Sequence, residues 1–126
     1  DCLLSRGLGD VYKRQDIDAV FGFANGMKAV DDVEIKGLTA VFGDKLAEKP
    51  VVELKEVLGE SRAAAATTAA AHAALMFAGK IPSQEAYSIA ADGSVSKTNV
   101  EASKLNNVLV VAYGAGGSYT AIVLSK

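Results

Sequence analysis

The chain has 126 residues, half of them hydrophobic, which is enough to bury the core of one domain or of a piece of a larger one. Its 13 basic and 15 acidic residues give a net charge of -2, so no basic field exists to attract nucleic acid or an anionic membrane surface. One cysteine excludes an internal disulfide, and one histidine leaves too few ligands for a usual zinc site, so we expect a cytoplasmic protein.

Residues 1–15, "DCLLSRGLGDVYKRQ", look unlike the rest of the chain. They lack the long apolar run and the small-residue cleavage site of a signal peptide. "GLGDVYKRQ" resembles translated adapter sequence, so we interpret residues 1–15 as a non-native leader and expect a truncated N-terminus; a frayed N-terminal arm is the alternative. Cys2 and Lys13 therefore carry no functional argument.

The next two segments predict a strand followed by a helix. In residues 16–26, "DIDAVFGFANG", an apolar run ends at turn-forming residues, which is typical of a buried strand that enters a loop. A helix of about three turns is expected to follow, with Asp31 as its N-cap and Gly43 at its end. Its apolar positions approximate helical spacing: Val33, Leu38, Val41 and Phe42.

After Pro50, "VVEL" predicts a short second strand, and Gly59 with Ser61 predicts a turn and an N-cap. The following "RAAAATTAAAHAALMFAG" predicts a helix that ends at Gly79. Its alanines leave nearly every face smooth, as a helix in the middle of a larger body requires. The uncharged stretch within it has only 17 residues and contains His72, which makes it a poor membrane span.

Residues 83–104 are polar and contain an Asp-Gly turn, so we expect a surface excursion with little regular structure. Two apolar runs follow, Val108–Ala112 and Thr120–Leu124, and they predict a hairpin through the loop "YGAGGSY". The loop is a weak phosphate-binding signal because no helix follows it. The elements together predict an α/β fold, with helices packed against a mixed sheet that ends in a β-hairpin.

In order and spacing, these pieces resemble the C-terminal half of the β-ketoacyl-acyl carrier protein synthases, the condensing enzymes of fatty acid and polyketide synthesis. In the family, a strand ends in a His-Gly-Thr-Gly-Thr motif, and a helix that begins with an Asp and a Glu follows. Residues 16–43 align with this segment without a gap and retain Asp31 and Glu34. Residues 51–82 follow the family's lysine, Gly-His and small-residue helix, keeping Lys55 and Gly59. "YGAGGSY" takes the place of Phe-Gly-Phe-Gly-Gly-Thr-Asn.

The resemblance implies a thiolase-like fold in which two such halves form one body and two bodies form a dimer. It also implies acyl carrier protein as a partner and no cofactor. The family's nucleophilic cysteine belongs to the other half, so residues 16–126 alone are not expected to form the acyl-enzyme.

The resemblance also shows where this chain departs from the family. The first family histidine corresponds to Phe23 and the second to Glu60, while Lys55 is retained. The two histidines donate hydrogen bonds to the thioester oxygen as charge develops. A carboxylate about 4 Å from that oxygen repels it by about 4 kcal/mol at an effective dielectric near 20, or roughly a thousandfold in rate. Glu60 could instead be protonated, or paired with Lys55.

The glycine-rich loop departs as well, because the family's gating phenylalanine corresponds to Ala115 and its terminal asparagine to Tyr119. The pocket candidates carried over from the family are Phe23, Asn25, Lys55, Glu60, Ala115, Gly116 and Gly117. His72 lies roughly three helical turns beyond Glu60, too far to replace either histidine, and is read as structural. Asp31 and Glu34 could form an acid pair or could simply interact with the helix dipole.

These departures favour a ketosynthase-like subunit without condensing activity, similar to the chain-length factors that pair with an active ketosynthase and shape its acyl pocket. A divergent active enzyme that uses Glu60 as an acid or base is one alternative. A free-standing interaction domain that uses the alanine helix as its interface is another. The partner is expected to be an active ketosynthase subunit or a second copy.

Overall fold

The computed structural model describes residues 14–23, 28–54, 65–113 and 119–126. Within these ranges, six strands form one mixed sheet in the order β4-β3-β2-β1-β5-β6. The strands are β1 (Ala19–Phe21), β2 (Val51–Val52), β3 (Ser83–Ile89), β4 (Val95–Glu101), β5 (Asn107–Tyr113) and β6 (Tyr119–Ser125). Two helices, α1 (Lys28–Phe42) and α2 (Ala65–Phe77), complete the α/β fold predicted from the sequence.

The centre of the sheet is parallel and its two sides are antiparallel. β1 pairs in parallel with β2 on one side and with β5 on the other. β3 and β4 extend the β2 side, and β6 extends the β5 side, all in antiparallel pairing. The carboxyl ends of β1, β2 and β5 therefore lie at one edge of the sheet.

The two helices cover opposite faces of the sheet. Ala19 and Phe21 belong to a buried cluster with Ala73 and Met76 of α2. Val20 belongs to a second buried cluster that contains Leu38 of α1. Because neighbouring residues of a strand point to opposite faces, β1 is buried on both, which explains why its sequence is apolar without alternation.

The C-terminal ends of both helices are those predicted from the sequence, but the start of α1 is not. Gly43 and Gly79 have positive φ angles of 57° and 73° just beyond α1 and α2, where a left-handed residue ends a helix. α1 begins at Lys28, so Asp31 lies in its first turn and the prediction that Asp31 is the N-cap is wrong. The start predicted for α2, at Gly59 and Ser61, lies outside the described residues.

The buried stripe of α1 also differs from the prediction by one residue. Val33 is 58% exposed, whereas Glu34 is only 3% exposed and shares its face with Leu38, Val41 and Phe42. These three residues lie four, seven and eight positions beyond residue 34, which is helical spacing. The buried face of the helix therefore holds a carboxyl group where the sequence predicted a valine. Glu34 lies beyond the first turn, where the helix dipole has little influence.

Most of residues 83–104 form a hairpin, so the prediction of an irregular excursion is wrong. β3 and β4 are paired over all seven residues, from Ser83↔Glu101 to Ile89↔Val95. In β4 only Val100 is buried, because the strand lies at the sheet edge and most of its side chains face water. A strand of this kind needs no apolar run, so hydrophobicity alone does not reveal it.

The closing hairpin is confirmed, with each strand longer than predicted. β5 and β6 pair from Asn107↔Ser125 to Tyr113↔Tyr119. At the other end of the sheet, Oδ2 of Asp18 accepts the backbone N–H groups of Asn106 and Asn107 at 2.8 and 2.9 Å, which ties the start of β5 to the start of β1. Within the part of the chain that the structure describes, neither α1 nor α2 has the length and hydrophobicity that a membrane-spanning helix needs.

The core under α2 can be tested with two neighbouring residues. Met76 is 1% exposed and Leu75 is 46% exposed. Met76→Ala leaves a cavity and is expected to lower the free energy of unfolding by about 3 kcal/mol, whereas Leu75→Ala lowers it by less than about 1 kcal/mol. Urea denaturation of both variants measures the difference, and equal losses would contradict this packing.

Candidate functional site

The candidate site lies at the edge where the parallel strands end. In open sheets of parallel strands, ligands bind beyond the carboxyl ends of the strands. Phe23 follows β1 at this edge and is partly exposed. The other pocket candidates, Asn25, Lys55, Glu60, Ala115, Gly116 and Gly117, lie outside the described residues, and each follows β1, β2 or β5 along the chain.

The end of β1 is tied to α1 through a buried carboxyl group. Oε1 of Glu34 accepts a hydrogen bond from the backbone N–H of Phe23 at 2.7 Å. The N–H of Gly22, one residue earlier, donates to the carbonyl oxygen of Val52 at 3.0 Å and continues the pairing with β2. Glu34 is the one charged residue among the described residues that is buried, and this contact gives its carboxyl group a partner there.

Gly22 leaves the space that this contact needs. A Cβ atom at position 22 would lie 2.6 Å from Oε1 of Glu34 and 3.2 Å from Cγ1 of Val51. The first distance is shorter than any ordinary contact, so a side chain here would displace the carboxyl group from the Phe23 amide. The glycine is therefore required by close approach, without any unusual backbone angle.

A pair of glycine substitutions tests this requirement. Gly22→Ala is expected to lower the free energy of unfolding by about 1–3 kcal/mol, because it separates a buried acceptor from its donor. Gly37→Ala is the matched control: no atom lies within 4 Å of the added Cβ, and the residue lies inside α1. The control is expected to raise the free energy of unfolding by about 0.5–1 kcal/mol. Urea denaturation measures both, and a Gly22→Ala protein as stable as the parent would contradict the contact.

A small cavity of about 30 Å³ lies beside this contact, between α1 and the sheet. It is lined by Asp31, Glu34, Ile35, Leu38, Val51, Glu53, Tyr87, Ile89 and Val95. It has room for one or two water molecules and is far smaller than a pocket for an organic ligand. Oδ1 of Asp31 is buried in the structure without a hydrogen-bond partner. The described residues bring no three His, Cys, Asp or Glu side chains together as a metal site.

Sequence reasoning missed this cavity for two reasons. Tyr87, Ile89 and Val95 belong to the hairpin, in a segment whose polar sequence predicts irregular structure. The sequence predicts Glu34 at the start of a helix, whereas it lies in the second turn of α1 and is buried. The Asp-Gly turn between two segments with β-branched and aromatic residues was the signal that could have located the hairpin.

The chain matches a known protein family. Residues 10–88 match the model of the β-ketoacyl synthase C-terminal domain, which covers more than half of the chain. The chain belongs to the β-ketoacyl synthase family. No curated protein and no solved structure matches the chain.

The matched residues include β1, α1, β2, α2 and most of β3. The match begins at residue 10, whereas the motifs that carry the sequence resemblance begin at residue 16. It ends at residue 88, so the likeness of the closing hairpin to the family remains a resemblance of motif and order. The hypothesis of a non-native leader over residues 1–15 remains a prediction, and residues 1–13 lie outside the described residues.

His72 lies in α2 and contacts a side chain of β3. Its Nε2 lies 2.9 Å from Oε1 of Gln84, and its ring is tilted by 56° against Phe21 with 6.1 Å between ring centroids. Burial lowers the pKa of His72 below its ordinary value, and the hydrogen bond with Gln84 raises it in part. Gln84 and Phe21 both belong to strands of the sheet, so these contacts are of the kind expected for a structural histidine.

The lowered pKa of His72 predicts a pH-dependent stability. The unfolded chain binds a proton more readily than the folded chain, so this contribution is present above the ordinary pKa of about 6.5 and is lost as the pH falls below it. His72→Gln is expected to reduce the loss of unfolding free energy between about pH 7.5 and about pH 5.5. Urea denaturation across this range measures it.

Asp92→Asn is the matched control for the pH series. The Asp92 carboxyl group accepts the backbone N–H of Ser94 at 2.9 Å, and hydrogen bonds with Ser94 lower its pKa. Its titration therefore lies below the tested range, and the variant should follow the parent curve. A His72→Gln curve parallel to the parent curve would contradict the role given to the imidazole.

Proposed function

We propose that this chain is the C-terminal half of a ketosynthase-like subunit that has no condensing activity of its own. The subunit pairs with an active ketosynthase, shapes the acyl pocket and interacts with acyl carrier protein. It works in fatty acid or polyketide synthesis. Membership of the β-ketoacyl synthase family supports the fold and the general class of the protein. The proposal that the subunit is catalytically silent is based on the residues at the end of β1.

The supporting observation is that residue 23 offers no free hydrogen-bond donor. By the resemblance, a histidine that donates to the thioester oxygen belongs at this position. The side chain of Phe23 is a hydrocarbon ring, and its backbone N–H already donates to Oε1 of Glu34 at 2.7 Å. Charge that develops on an acyl oxygen near this point would therefore find neither an imidazole nor an available amide.

The sequence at the second histidine position supports the same conclusion. Glu60 follows β2 along the chain and lies outside the described residues. An ionised carboxylate raises the energy of a neighbouring enolate instead of lowering it. In other enzymes, removal of one oxyanion-hole donor typically costs about 10²–10³ in rate, so the loss of two donors leaves little catalysis.

The side chains that pack around the carboxyl end of β1 form a complete core. This agrees with a subunit whose role depends on its structure and not on catalysis. β1 is completely buried, and Gly22 retains the space that Glu34 needs. Both faces of the sheet carry continuous buried clusters, one under each helix. A protein that must present a wall of the acyl pocket to a partner requires this rigidity, whereas it does not require the two imidazoles.

Restoring the donors tests the proposal. The protein should be prepared together with the family half that carries the nucleophilic cysteine, and carbon dioxide release from malonyl-acyl carrier protein should be measured. We expect no release above background for the parent and a gain of at least about tenfold for the Phe23→His, Glu60→His variant. Phe23→Leu, Glu60→His is the matched control, because it supplies only one of the two donors.

The result that would overturn the proposal is turnover by the parent itself. If the parent releases carbon dioxide and Glu60→Gln lowers the rate by about 10²–10⁴, Glu60 acts as an acid or base and the protein is a divergent condensing enzyme. A separate assay addresses the partner role. Addition of the subunit to an active ketosynthase is expected to change the chain lengths of the products, and unchanged products would contradict that role.

A further inference from the structure

The hairpin formed by β3 and β4 is tied to itself more firmly than to the rest of the sheet. β3 pairs with β4 at all seven of its residues. Among the described residues, β3 pairs with β2 at one position, Val51↔Tyr87. At the base of the hairpin, the backbone N–H of Ala102 donates to the carbonyl oxygen of Pro82 at 2.9 Å. The two strands therefore hold each other along their full length, whereas the ladder to β2 is short.

Burial attaches the hairpin less firmly than it attaches the central strands. In β3 and β4 the buried residues are Ala86, Ile89 and Val100, whereas every residue of β1 is buried. One of the three is an alanine, whose small side chain contributes little apolar surface. Segments with few buried apolar contacts open at a lower free energy than the core of the same domain.

The joint between the hairpin and α1 is incompletely packed. The cavity of about 30 Å³ lies at this joint, with Tyr87, Ile89 and Val95 of the hairpin and Asp31 and Glu34 of α1 among its lining residues. Side chains that line a void lose contact partners on that side. Burial of carboxyl groups is also costly, so an opening that brings water to this joint costs less than one that exposes only apolar surface.

We infer that the β3–β4 hairpin opens from β2 and α1 as one unit, at a lower free energy than unfolding of the whole domain. In the open state, the carboxyl groups of Asp31, Glu34 and Glu53 lose the wall that the hairpin forms, and water reaches them. Oε1 of Glu34 accepts the backbone N–H of Phe23, so the closed hairpin shields this contact from water. The opening is independent of whether the subunit is catalytically silent.

Labelling of a buried thiol with iodoacetamide measures the opening. In a Cys2→Ser background of the full chain, Ala86→Cys places a thiol in β3 and Ala19→Cys places one in β1. The two alanines are a matched pair, because both are 0% exposed and both belong to the buried cluster under α2. Without urea, the thiol at position 86 is expected to react at least about tenfold faster than the thiol at position 19. Its rate should also depend less on urea concentration, because opening of the hairpin exposes less surface than unfolding does.

Two further substitutions distinguish opening of the hairpin from unfolding of the domain. Leu109 is 1% exposed and pairs with residues of β1 and β6, so its packing persists when the hairpin opens. Leu109→Ala is expected to speed labelling at position 19 about a hundredfold and to leave labelling at position 86 within about twofold of its rate. Gln84→Ala removes the hydrogen bond between β3 and His72 of α2. This contact is absent from the open and the unfolded state alike, so labelling at both positions should rise about fivefold.

Equal labelling rates at positions 19 and 86, with the same urea dependence, would overturn the inference, because the hairpin would then unfold only with the whole domain. A Leu109→Ala variant in which both rates rise by the same factor would overturn it as well. Circular dichroism confirms that each variant folds. Ile89→Cys, on the other face of β3, repeats the measurement and should show the same weak urea dependence as position 86 if the hairpin moves as one unit. A strong urea dependence at position 89 would contradict this.

Discussion

The hydrogen bond between the carboxyl group of Glu34 and the backbone amide of Phe23 fixes how α1 meets the end of the central strand. It joins residues eleven positions apart, and it exists because Gly22 has no side chain to occupy the intervening space. The apolar residues of α1 then fall on one face of the sheet and leave the other face to α2. The position of residue 23 at the carboxyl edge, and hence the chemistry available there, depends on this contact.

The same contact explains how a β-ketoacyl synthase fold can keep its shape with Phe23 at the position where, by the resemblance, the family has its first histidine. A buried acid would normally be costly, yet Glu34 is satisfied by the backbone, which every residue type at position 23 except proline provides. The scaffold is therefore insensitive to the side chain at this position. Loss of the imidazole removes a donor from the cleft without removing support from the fold, which is the physical basis of the proposed silent subunit.

The sequence predicted what depends on local pattern and missed what depends on tertiary neighbours. The buried run of β1, the glycine ends of the two helices and the closing hairpin were all visible as local signals. The choice between Val33 and Glu34 for the buried face of α1 was not, since it is decided by an amide that lies outside the helix. β3 and β4 were missed because an edge hairpin exposes most of its side chains. Of the candidate site, only Phe23 lies among the described residues, so its other members rest on the family resemblance.

A crystal structure of the complete subunit with a bound analogue of the acyl thioester enolate tests the central claim most directly. The account predicts that the N–H of residue 23 still points to Glu34 and that no donor of this residue lies within about 3.2 Å of the analogue's oxygen. A structure in which the Phe23 amide has left Glu34 and donates to that oxygen would contradict it.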